Sequence, residues 1–165
     1  MTVGDDTPLS RERAAMYHTI LVPLDGSSRA EAILPHVEDL ARRYGARVLL
    51  LHVDAEPPLM LERDEIVDLQ SYMEKRRQRR GRIAAYLQGI IDNWRGMSIA
   101  AAKELGEGPV VACIIDTAAR EQADLVAMAS HGSSGGARAF YGSVAAGVLQ
   151  QIDRPLLLVR SQFIK

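Results

Sequence analysis

The sequence predicts a doubly wound α/β domain, and three observations carry that prediction. Five short apolar runs, each too short for a helix, recur along the chain. Four segments of helical apolar periodicity lie between them, and glycine, proline, serine or aspartate marks the junctions. Strict alternation of such strands and helices means a parallel sheet covered on both faces. Right-handed crossovers then wind it in both directions.

Residues 1–16 show little apolar periodicity and read as a flexible tail, leaving 17–165 as one domain. His18–Leu24 is a β-branched apolar run and the first strand. Ser28 then reads as a helix N-cap, with Glu31 completing a capping box. Ile33, Leu34, Val37, Leu40, Ala41 and Tyr44 keep helical spacing, and Gly45 closes the helix. Pro35 falls inside it and is expected to remove one hydrogen bond and bend the axis. Ala46–Val53 is the second strand.

A long helix follows the Pro57-Pro58 loop, with Ile66, Leu69, Met73, Ile83, Leu87, Ile90 and Trp94 along one stripe. Arg76 and Arg80 occupy stripe positions and are expected to pair with acidic groups or face a partner subunit. Met97–Ala102 is the third strand. Pro109 sits at the first position of the next helix, whose inward face is Val110, Val111, Ile114, Ile115 and Ala118. Asp124–Ala129 is the fourth strand, Ser143 to about Ile152 the last helix, and Pro155–Val159 the fifth strand.

Composition narrows the function. With 165 residues, 47% hydrophobic and 25% charged, the chain is an ordinary globular domain. Its net charge of -1 supplies no global field for nucleic acid or an acidic membrane. The basic run Lys75–Arg82 lacks aromatic platforms and reads as a solvated helix face. One cysteine, Cys113, allows no intrachain disulfide and reads as core. No apolar run reaches the ~20 residues of a membrane span. The polar, acidic start Met1–Asp6 is unlike a signal peptide. A cytoplasmic protein is the expectation.

In doubly wound sheets, ligands bind at the carboxyl ends of strands where the strand order reverses. Two loops at such ends stand out. Pro23-Leu24-Asp25-Gly26-Ser27 leaves the first strand, and Met128-Ala129-Ser130-His131-Gly132 leaves the fourth and runs on to Gly142-Ser143. Glycines let backbone amides converge on an anion, and the helix starting at Ser143 aims its free N–H groups at the same space. Asp25 can accept from ribose hydroxyls or hold Mg²⁺. Leu24, Ser27, His131 and Arg138 are further candidates within reach.

Gly132, nine residues, then Gly142-Ser143 resembles the nucleotide signature of the universal stress protein family, in its ATP-binding branch. The opening Ile20–Ser27, the strand end Leu51-His52-Val53, the run Ala123–Met128 and the closing Arg154–Val159 match as well. The resemblance implies strand order 3-2-1-4-5, with the reversal between strands one and four. It implies that Pro23, Asp25, Val53 and Met128 surround adenine and ribose, and that Gly132, Gly142, Ser143 and Val144 bind phosphates. It further implies ATP or AMP as ligand, a stress-response regulator or sensor with at most slow ATP hydrolysis, and a homodimer through the last strand, Leu156–Val159. Ala129 replaces the first glycine of the signature, adding a methyl where backbone and nucleotide approach. Two rival readings are a nucleotide-free homodimeric interaction module and an ATP-using enzyme of the nucleotide α-hydrolase-like fold.

Overall fold

Successive residues of β1 (Thr19–Pro23) point into two different cores, which is why its apolar run is unbroken. Ile20 and Val22 join one core with Val48 and Leu50 of β2 (Arg47–Asp54), under α1 (Leu34–Tyr44) and α2 (Leu69–Arg95). Leu21 joins the other with Leu49 and Leu51, under α3 (Val110–Arg120) and α4 (Ser143–Gln151). A strand buried on both faces needs apolar residues at every position, not alternate ones. The computed structural model describes residues 16–55, 69–131 and 141–161. Within them β3 (Ala101–Glu107), β4 (Leu125–Ala129) and β5 (Leu156–Val159) complete a parallel sheet of order β3-β2-β1-β4-β5. The doubly wound architecture and its strand order are as expected.

Several local expectations are corrected. The helix after β1 opens as a 3-10 turn over Ala30–Ile33, and α1 begins only at Leu34. Pro35 therefore lies in the first turn, where its missing N–H has no intrahelical partner to lose. Arg29, not Ser28, directly precedes the 3-10 turn, and the hydroxyl that accepts from its first amide, Ala30 N at 3.2 Å, belongs to Ser27. Glu31 does not turn back to form a capping box. It accepts from the Tyr86 hydroxyl at 2.8 Å, and burial, followed by that carboxylate, pushes the phenol above its ordinary range.

β3 starts four residues later than expected and runs through Lys103 and Glu104 to Glu107. Ser98 takes a left-handed turn (φ 58°), and the Trp94 carbonyl accepts from both Met97 N and Ile99 N, so 97–100 reverses the chain before the strand. Polar residues hid the strand because β3 is an edge. Lys103 reaches across to α2, donating to the Ala84 carbonyl at 3.0 Å and to Gln88 at 2.7 Å. Pro109, with extended backbone, precedes α3 instead of opening it. The opposite edge, β5, keeps all four of its apolar residues partly exposed.

The stripe of α2 divides at the end of the sheet. Leu87, Ile91 and Trp94 are buried, whereas Leu69 and Met73 are 59% and 58% exposed. Where the sheet ends, Arg76 and Arg80 take over by pairing with Glu107 at the tip of β3. That is the acidic partner expected of them. Arg79 lies 3.8 Å from Asp54, the register partner of Glu107 on β2. Ile66 falls outside the described residues. Cys113 is half-buried in α3, against Gly106 of β3.

Candidate functional site

The reversal point of the sheet lies between β1 and β4, whose following segments leave in opposite directions to opposite faces. A cavity of about 330 Å³ opens there, at the carboxyl ends of the strands. That volume is at the lower end of the range of about 300–1,000 Å³ usual for small-molecule sites.

Three walls enclose it. Pro23, Leu24 and Asp25 leave β1, and the chain is steered by Gly26, whose φ of 82° lies in the left-handed region that favours glycine. The turn is closed by Asp25 itself, whose Oδ1 accepts from Ser27 N at 2.9 Å and from Ser27 Oγ at 2.6 Å. Val53 comes from β2, and Val110 and Ile114, one helical turn apart, come from α3. Met128, Ala129, Ser130 and His131 leave β4 and face Gly142, Ser143, Val144 and Ala145 at the start of α4.

The β4 exit is tightly tied. Ser130 N donates to the Val159 carbonyl at 2.8 Å, and the Ser130 carbonyl accepts from Gly142 N at 2.8 Å. The Gly142 amide is therefore satisfied within the protein. Gly142, the residue before the helix, has no side chain to cap it, and the first-turn amides of Ser143, Val144 and Ala145 carry the helix's positive end to the cavity wall. A Cβ at Gly142 would stand 3.4 Å from the Ser130 carbonyl oxygen and 3.6 Å from His131 Cα. The glycine thus serves the close approach of α4 to β4, and a larger residue would act by pushing the helix start away.

Among the described lining residues the ionisable side chains are Asp25 and His131. His131 is 9% and Ser130 2% exposed, and Ser130 Oγ lies 3.0 Å from His131 Nδ1. The chemistry on offer is a mostly apolar slot with a carboxylate on one side and helix amides with an imidazole on the other. Such a slot suits a flat apolar ligand with hydroxyls at one point and an anionic group at another. Among the described residues, no cluster of three or more His, Cys, Asp or Glu side chains could hold a metal ion.

Of the residues singled out from sequence, Pro23, Leu24, Asp25, Val53, Met128, Ala129, His131, Gly142, Ser143 and Val144 meet around this one cavity. Ser27 does not line it and acts on Asp25 instead. Gly132 and Arg138 lie outside the described residues. Lining residues that the sequence reading did not single out include Ala30, Val110, Ile114 and Ser130. Ser130 could have been inferred from its place between two candidates. The others reach the cavity only through tertiary packing.

Residues 16–160 match the family described as the universal stress protein family. Universal stress protein MJ0531 of Methanocaldococcus jannaschii is 27% identical over 146 residues, which is 88% of this chain and 83% of that protein. The solved structure of the protein MJ0577 superposes with a TM-score of 0.76 at 26% identity, over 89% of this chain and 98% of that one. A universal stress protein family member from Arabidopsis thaliana, solved with AMP bound, gives a TM-score of 0.62 at 14% identity, over 88% and 93% of the two chains. The universal stress protein of Archaeoglobus fulgidus in complex with dAMP gives 0.58 at 20% identity, over 87% and 98%. At these last two identities the likeness is one of fold.

Proposed function

The chain belongs to the universal stress protein family, and from that premise we propose that its cavity binds an adenine nucleotide, AMP or ATP. One observation supports this above the rest. At the strand-order reversal, an apolar slot lined by Val53 and Met128 is also lined by Asp25 and by the first turn of α4. The slot suits adenine, Asp25 suits ribose hydroxyls, and the α4 amides suit a phosphate. Solved universal stress proteins with AMP or dAMP bound support an adenine nucleotide as the class of ligand.

In this reading Pro23, Asp25, Val53 and Met128 surround adenine and ribose, while Gly132, Ser143 and Val144 take the phosphates; Gly142, whose amide is spent on the Ser130 carbonyl, contributes by letting α4 start close to β4. Ala129 crowds the same slot with its methyl. Mg²⁺ enters as a companion of the phosphates, with Asp25 the nearest available carboxylate. The protein acts as a regulator or sensor in the cytoplasm, with at most slow ATP hydrolysis, and pairs with a second copy along Leu156–Val159.

Calorimetric titration of nucleotide-stripped protein with ATP, ADP, AMP and cyclic AMP, with and without Mg²⁺, tests the reading. Saturable binding of one nucleotide per chain is expected for AMP or ATP. Absence of binding for all four would overturn it.

A further inference from the structure

His52 lies on β2 but does not line the cavity. The residues that alternate with it, Leu51 and Val53, face α3 and the cavity, so His52 faces the other side of the sheet with Leu50. Its Nδ1 is 2.9 Å from the carbonyl oxygen of Leu24. A carbonyl can only accept, so Nδ1 carries the hydrogen and the imidazole donates. Leu24 N donates in turn to the Leu51 carbonyl at 2.8 Å. The β1–β2 ladder ends at Pro23 and Leu51, and the imidazole takes the next carbonyl of the β1 chain. Both polar backbone groups of Leu24 are thus held by consecutive residues of β2.

Leu24 is the last residue of this segment gripped by the sheet, and Asp25 follows it directly. Beyond Asp25 the backbone turns through Gly26 in the left-handed region, and Ser27 closes the turn onto the Asp25 carboxylate. The placement of that carboxylate therefore depends on how firmly the Leu24–Asp25 peptide is held. We infer that His52 is a positioning residue: by donating to the Leu24 carbonyl it sets where Asp25 stands in the cavity, and so governs recognition of the ligand's sugar hydroxyls. The inference rests on the nucleotide reading above and assigns His52 a part in it without contact to the ligand.

The test uses the full chain, the variants His52→Leu and His52→Asn, and two ligands, AMP and 2′,3′-dideoxy-AMP. Leucine removes the donor, while asparagine presents an amide N–H near the position of Nδ1. His52→Leu is expected to weaken AMP binding about three- to tenfold, the range for one neutral hydrogen bond, and to leave dideoxy-AMP binding unchanged. His52→Asn is expected to restore most of the lost AMP affinity. A merely structural histidine would lower both affinities together, so equal loss of both ligands overturns the inference. Unchanged AMP affinity in His52→Leu overturns it too, as does equal affinity of the unaltered protein for the two ligands. If the unaltered protein binds neither, the nucleotide reading itself falls and this inference with it.

Discussion

The two ends of the sheet are finished in opposite ways. At the amino end, side chains take up the loose backbone groups. The Asp124 carboxylate accepts from His18 N at 2.8 Å and Thr19 N at 3.1 Å, fixing the start of β1 beside that of β4. Arg154, largely buried, donates to the carbonyls of Ala118 at 2.7 Å and Ala123 at 2.9 Å, closing the way from α3 into β4. At the carboxyl end the described side chains hold turns, and α4 starts after Gly142, which has no side chain to cap it. Buried polar groups must find partners somewhere. One end finds them within the chain, and the other presents helix amides to a cavity. A stable scaffold and a receptive site thus differ chiefly in who supplies the hydrogen-bond partner.

That contrast can be broken from either side. The largest effect is expected from Arg154→Ala, which strips two carbonyls of their donor and should lower unfolding free energy by about 3 kcal/mol in urea titration. AMP affinity of the folded variant should stay within about twofold, well below the tenfold that corresponds to 1.4 kcal/mol. A large change in affinity would mean that the two ends are coupled. Next comes Gly142→Val, which pushes α4 from the Ser130 carbonyl and should weaken AMP binding at least about tenfold, with a stability loss of about 1 kcal/mol from overpacking. Full affinity in that variant would dissociate the α4 terminus from the ligand.

The smallest effect belongs to Asp153, whose exposed carboxylate is held below its usual range chiefly by the hydrogen bond from Arg154, 2.8 Å away. A depressed folded value stabilises above the unfolded value of about 3.9 and ceases to do so as pH falls through the folded one. The urea midpoint of Asp153→Asn should therefore sit slightly below that of the parent near neutral pH and merge with it as pH falls through the depressed folded value. A constant gap across that range would assign the effect to something other than the charge.

Much of the architecture was legible because strands buried on both faces must be apolar throughout, as Ile20–Val22 and Leu49–Leu51 are. The strand order was not: periodicity says where elements lie, and the order came from the family resemblance. Misplaced boundaries have physical causes. β3 escaped because an edge strand tolerates Lys103 and Glu104, whose charged ends reach neighbouring helices. Pro35 misled because nothing in the spacing reveals that a 3-10 turn precedes the helix. At the site, strand-end residues such as Asp25 and Met128 were legible by position. Val110 and Ile114 were not, since an apolar helix face looks the same whether it covers core or lines a slot. His52 stood out only as part of the strand end Leu51-His52-Val53. The direction of its Nδ1–H bond is visible only in three dimensions.

The borders of the sheet differ as much as its ends. β3 is strapped to α2 by Lys103 and to α3 by the pairing of Glu104 with Arg120, whereas Leu156–Val159 of β5 leave an apolar border in partial contact with water. A strand added from another molecule meets charge and crossing side chains on one border and an accommodating row on the other. A body with one accommodating border can join a second copy only by using that border up. Were two copies to pair along Leu156–Val159 as proposed, each would spend that border on the other, and extension of the sheet would stop at two molecules.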